Sequence, residues 1–170
     1  MERLKETEKH DSQRGEFAYE LYNQMIDNED IVVVTADLGF GLFDKIKRDF
    51  PDRFYNVGAS EQAAMGVAVG MALEGKIPVI YSITPFLLYR SFETIRNYIN
   101  QEQTPVILIG GGRNDDYAHD GPSHHAFEDR QIMEIFDRID SYWPDDKEEI
   151  PLLLEKVLTG RRPAYINLRR

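Results

Sequence analysis

RFYNVGASEQAAMGVAVGMALEGKIPVIYSI, residues 53–83, is the stretch on which the fold turns. RFYNVG (53–58) reads as a short strand ending in a glycine turn. Residues 61–73 are apolar and helix-like, with Gly75 placed to stop them. KIPVIYSI (76–83) reads as the next strand. Strand, helix and strand in so short a span point to a parallel sheet with helices packed on it.

The same alternation runs outward from this unit. Upstream, residues 1–13 are polar and aperiodic and read as an arm. A helix is predicted over 15–28, where Phe17, Ala18, Leu21, Tyr22, Met25 and Ile26 recur at helical spacing. IVVVTA (31–36) reads as a strand buried on both faces, and 42–50 as a helix ending before Pro51. Downstream come a helix (85–99), a strand (104–110), a glycine-rich polar loop (110–125), a helix (126–136), a strand (138–142), a helix (146–158) and a strand (164–168). This order predicts an α/β fold, one doubly wound domain over 14–170 with a mostly parallel sheet. Ligands of such sheets bind beyond the carboxyl ends of the strands. That edge collects ADLG (36–39), GASEQ (58–62) and the 110–125 loop.

Composition narrows the function. The chain has 170 residues, one domain's worth, and a formal charge of −10 from 20 basic and 30 acidic residues. An acidic surface repels a phosphate backbone and an anionic membrane, so neither partner is expected. With no cysteine, there is no disulfide, thiolate zinc site or cysteine nucleophile. The N-terminus shows no apolar signal region, and the longest apolar stretch, 63–73, is too short to span a bilayer. A soluble cytoplasmic protein is expected.

Three places carry candidate chemistry. Glu61 follows Ser60, an expected N-cap, in the first turn of a helix. A first-turn acid often does no more than stabilise the helix dipole. Here the helix behind it is apolar and built on Gly66, Ala68, Gly70 and Ala72, so it is expected to be buried against a partner. Glu61 then stands at a dry interface, where burial disfavours its charged form and suits it to share a proton with a ligand nitrogen. Phe86 follows Pro85 at a strand-to-helix turn and can offer its ring to a flat heterocycle, although such aromatics are usually core. Arg90 lies one turn on, a paired surface group or a ligand contact. The loop GGGRNDDYAHDGPSHHAFED holds Arg113, His119, Asp120 and His124 without a specific metal-ligand or phosphate-loop spacing.

In order along the chain, VVVTADLG, FPDRFYNVGASEQAAMGVAVGMALEGKIPVIYS, PFLLYRSFETIRNYI and DGPSHHAFED resemble the pyrimidine-binding domain of thiamine-diphosphate enzymes, in its transketolase form. The resemblance implies roles by position. Glu61 matches the glutamate that contacts N1′ of the aminopyrimidine and favours the imino tautomer that deprotonates the thiazolium. Phe86 matches the aromatic that stacks on the pyrimidine. Asp37 and Leu38 fall in the cofactor-binding ADLG, with Leu38 as the apolar wedge, and Arg90 is carried as a further cofactor contact. Asp120 and His124 match groups facing the sugar hydroxyls and the reacting carbonyl. The family's upstream phosphate-binding histidine falls on Gly112, leaving Arg113 or His119 to substitute, and Arg169 matches a phosphate-binding arginine loosely.

The resemblance also implies a missing half. The family holds Mg²⁺ or Ca²⁺, and through it the diphosphate, with a GDG motif and a downstream asparagine that this sequence lacks. No metal ligand is therefore expected here. The implied protein is a split transketolase-like enzyme that moves a two-carbon ketol unit between sugars or sugar phosphates. Its second subunit would carry the diphosphate-binding domain, in a heterotetramer. The alternatives are a split 2-oxoacid decarboxylase of the sulfopyruvate or phosphonopyruvate type, and a non-catalytic partner subunit.

Overall fold

Every residue of the strand β1 (Ile31–Thr35) is β-branched, and all are buried. Such side chains suit a pleated surface covered on both sides. The computed structural model describes residues 3–4 and 11–170, and most of the stretch read as an arm, 1–13, lies outside them. Strands follow at β2 (Phe54–Asn56), β3 (Ile77–Ile83), β4 (Ile107–Gly111), β5 (Asp140–Tyr142) and β6 (Ala164–Leu168). They form one sheet in the order β2-β1-β3-β4-β6-β5. Each pairing among the described residues is parallel, so the sheet is wholly rather than mostly so.

Strand periodicity separates two cores. Val33, Val79, Ile107 and Ala164 stand in register across the four central strands and face one side. The helices α1 (Gln13–Asp27), α2 (Asp44–Asp49) and α7 (Ile150–Gly160) cover that side with Phe17, Leu21, Ile46 and Leu154. One residue on, Val34, Ile80, Leu108 and Tyr165 face the other side. There α3 (Glu61–Leu73), α4 (Thr84–Arg90), α5 (Phe92–Thr94) and α6 (Asp129–Ile135) supply Met65, Ala68, Leu88 and Met133. Each fully buried aliphatic side chain contributes about 1.5–3 kcal/mol to such a core.

Some boundaries differ from the sequence pattern, for local reasons. Helix α1 starts at Gln13, with the Ser12 side chain accepting from the Gly15 N–H at 3.0 Å. Pro105 has no N–H to give the ladder, so β4 starts after it rather than at 104. The expected helix 126–136 begins later because Ala126 pairs with Asn114 and closes the loop before it. The expected helix 85–99 breaks at Ser91 and continues from Ile95 to Gln101 as a π-helix. The break leaves Arg90 at the end of a short helix. No helix among the described residues is long and apolar enough to cross a membrane.

Candidate active site

From β1 the chain steps to β2 on one side, then crosses back to β3 on the other. Such a reversal opens a crevice at the carboxyl ends of the strands. Gly58, at φ +78°, makes the turn that drops the chain into α3, a backbone conformation side-chain-bearing residues avoid. Ser60 takes the N-cap position, as expected, but makes no side-chain bond there. Glu61 follows with 3% of its surface exposed. Its Oε2 accepts from Arg90 Nη1 at 2.8 Å, and its Oε1 is 3.4 Å from the donating Ser82 hydroxyl. The Arg90 guanidinium lies over the Phe86 ring, its Cζ 3.8 Å from the centroid. His124 meets the same ring edge-on, at 4.8 Å and 66°. Glu61, Phe86, Arg90 and His124 thus come together, although they are spread over α3, α4 and the 110–125 loop.

Asn56 joins the two loops at the reversal. Its Oδ1 accepts from the Asp37 N–H at 2.9 Å and the Gly58 N–H at 3.0 Å. Asp37 is exposed and left-handed at φ 55°, and Leu38 is half-buried against the core. The Leu38 carbonyl accepts from the Thr35 hydroxyl at 3.1 Å, which fixes the bend. Asn56 lies within the FPDRFYNVGASEQ segment but was not among the expected site residues. An asparagine at a strand end, facing two tight turns, is the signal that could have found it.

The loop after β4 builds a second cluster on the other face of the same edge. Gly112 sits at φ +92°, and a Cβ there would lie 2.4 Å from the Tyr117 ring. Tyr117 therefore occupies the space a histidine at 112 would need. Its hydroxyl accepts from Arg14 Nη1 at 2.9 Å, and Arg170 covers its ring at 4.9 Å. Burial works against the charge of Arg14, yet the Tyr81 and Tyr117 hydroxyls and Asp116 outweigh it and raise the pKa. Its Nε is buried with no hydrogen-bond partner. His119 lies 3.2 Å from Asp120 and against the Arg170 guanidinium. The Arg169 N–H donates to the Gln13 side chain at 2.8 Å, and its side chain is exposed. Arg14 and Arg170 were missed in the sequence because one opens a helix and the other follows the last strand, far from any motif.

Arg113 requires correction. Its guanidinium is buried and donates to Asn167 Oδ1 at 2.8 Å, the Asn167 carbonyl at 3.0 Å and the Pro144 carbonyl at 2.8 Å. Burial, and then Arg169 nearby, lowers its pKa. Its Nη1 lies 3.4 Å from Asp145 Oδ1, so four of its five donors face acceptors within the fold and it is poorly placed to hold a substrate phosphate. Asn167, itself wholly buried, donates to Thr84 Oγ1 and the Gly112 carbonyl, both at 3.1 Å. One amide thus ties the start of α4 to the start of the loop.

The donor set fits an aminopyrimidine: a buried carboxylate for a ring nitrogen beside an aromatic face for the ring itself. It does not fit a metal, since no cluster of three or more metal-ligating side chains occurs among the described residues. His124 Nδ1 lies 3.0 Å from the Ser123 hydroxyl. With that hydroxyl donating, the ring proton sits on Nε2.

Comparison with known proteins places this arrangement. The family model for the transketolase pyrimidine-binding domain matches residues 14–170. An apulose-4-phosphate transketolase subunit of Actinobacillus succinogenes is 31% identical over 140 residues, 82% of this chain and 45% of that protein. A 1-deoxy-D-xylulose-5-phosphate synthase of Dehalococcoides mccartyi is 32% identical over 159 residues, 91% of this chain and 24% of that protein. A solved split-gene transketolase, described as an inactive β4 tetramer, superposes with a TM-score of 0.82 at 31% identity, covering 94% of this chain and 51% of its own. The chain therefore spans about half the length of these relatives, or less.

Proposed function

This chain belongs to the transketolase pyrimidine-binding domain family, and on that premise we propose that it is the pyrimidine-domain subunit of a split, thiamine-diphosphate-dependent transketolase-like enzyme. The observation that carries this reading is the buried Glu61 carboxylate beside the ring of Phe86 at the strand-order reversal. The cofactor, when bound, supplies the nucleophilic carbon and the electron sink for ketol transfer. Glu61 holds and exchanges the proton at the pyrimidine ring nitrogen, and burial keeps water from competing for it. Phe86 would carry the ring, with Leu38 as the apolar wedge. Metal and diphosphate fall to a partner subunit, as the missing GDG motif and downstream asparagine imply.

The substrate end follows from the loop. Asp120 accepts from sugar hydroxyls, and His124 Nε2–H donates to the oxygen that gains charge as the bond forms. Arg14, Arg169 and Arg170 make that end cationic, which supports a phosphorylated sugar. A partner is also supported by α3. Its inner side packs on the sheet through Ala64, Met65 and Ala68, while Ala63, Gly66, Val67, Gly70 and Leu73 face outward, with Leu73 70% exposed. Nothing lies within 4 Å of where a Cβ on Gly66 or Gly70 would be, so another backbone can approach closely.

The test is reconstitution with a chain bearing the diphosphate-binding domain, assayed with ketose donors and, separately, with 2-oxoacids. Ketol transfer requiring both chains is expected; decarboxylation without it would favour the 2-oxoacid alternative. Gly66→Leu is expected to leave the chain folded and to block assembly on sizing.

A further inference from the structure

The reading of Glu61 and Phe86 as a pyrimidine half-site leaves Arg90 unexplained. Its guanidinium makes two contacts of a particular kind. It stacks on the Phe86 face at 3.8 Å, and it gives Glu61 Oε2 an N–H bond at 2.8 Å. A flat, N–H-bearing group that stacks on one ring and bonds one carboxylate is what an aminopyrimidine would be in the same place. A guanidinium and an amidine-type heterocycle share that edge chemistry. His124 already stands edge-on to the same ring. A ring stacked on the face Arg90 covers would have to take Arg90's place.

Resting on that reading, we propose that Arg90 is a placeholder for the cofactor's pyrimidine. It holds Glu61 and Phe86 in their working positions in the empty subunit and swings out when the ring enters. A buried carboxylate without a counter-charge is costly. Arg90 spares the free chain that cost. It is also held loosely enough to leave. Its side chain is 49% exposed, whereas that of Glu61 is 4% exposed. Ion pairs and cation–π contacts open to solvent on one side are weak. Arg113 shows the contrast: it is 5% exposed and bonded to three acceptors at 2.8–3.0 Å, and nothing could exchange with it. Departure of Arg90 leaves the Glu61 carboxylate to the ring nitrogen alone, the arrangement in which the two share a proton.

The test uses the full chain and thiamine, which carries the pyrimidine without the diphosphate. Titration is followed by the arginine Nε–Hε signals of ¹⁵N-labelled protein, with Arg90 assigned through Arg90→Lys. In the free chain the Arg90 signal is expected to be displaced by the Phe86 ring current and to return to an open guanidinium position at saturation. Arg90→Met is expected to bind thiamine roughly 3- to 30-fold more tightly, since the competing contact is gone. Phe86→Ala and Glu61→Gln are expected to weaken binding with or without Arg90. If those two weaken binding while the Arg90 signal stays put, or Arg90→Met binds no better, the placeholder is wrong and the half-site stands. If Phe86→Ala and Glu61→Gln change nothing, the half-site is wrong and the placeholder falls with it.

Discussion

The two faces of the carboxyl edge of the sheet handle charge in opposite ways. On the α3–α4 face, the buried Glu61 carboxylate is matched by the Arg90 guanidinium beside it. On the α1 face, Arg14, Arg169 and Arg170 gather around a loop whose nearest carboxylates, Asp116 and Asp120, are tied to backbone N–H groups and to His119. Arg14 Nε is buried there without an acceptor. On the proposed reading, the first face takes a heterocycle by exchange with Arg90, and the second, where Arg14 Nε has no acceptor, takes a phosphate by addition, so the two do not compete for a ligand.

The largest expected effect breaks the first face. Glu61→Gln keeps the shape but removes the exchangeable proton, and turnover of the assembled enzyme should fall roughly 10²- to 10⁴-fold. Assembly should not change, as sizing would show. Near-normal turnover would return Glu61 to a helix-dipole role.

Asn167 supports both faces at once, through Thr84 and Gly112, and Asn167→Ala strips several bonds and leaves Arg113 Nε buried without its acceptor. Urea unfolding should show a loss of about 2–4 kcal/mol. A loss under about 1 kcal/mol, the worth of one ordinary hydrogen bond, would mean that the two faces are held independently.

Arg14→Met tests the second face alone. Steady-state kinetics should show KM for a phosphorylated sugar rising about 10- to 100-fold, the worth of a charge-assisted bond, with little change in kcat. An unphosphorylated ketose should be unaffected. An equal penalty for both substrates would remove the phosphate from this end.

The smallest effect is expected at Asn56. Asn56→Ala removes two bonds at an exposed turn, and denaturant unfolding should register about 1 kcal/mol. Thiamine binding should weaken as the Asp37–Leu38 loop loosens, while Arg14-dependent discrimination stays as it was.

Much of this molecule is written in its periodicity. The β-branched run of β1, the alternation of strand and helix, and the stop at Gly75 set an α/β sheet, because burial of apolar faces tolerates few alternatives to that pattern. The ordered motifs were legible too, and it was their resemblance to the transketolase pyrimidine-binding domain that singled out Glu61, Phe86 and His124. What the tertiary structure alone decided was which side chains meet. Arg113 stands in the glycine-rich loop as a ready phosphate ligand, yet folding buries it and spends its donors on Asn167 and Pro144. Arg14 and Arg170 lie at opposite ends of the chain, and only the packing of α1 beside the end of β6 brings both onto Tyr117. Glu61 and Arg90 are likewise joined through space, from the start of α3 to the end of α4. Hydrophobic pattern is local and repeats along the chain, so sequence reveals it. Pairing of charges depends on register and crossover between distant strands, so only the folded chain does.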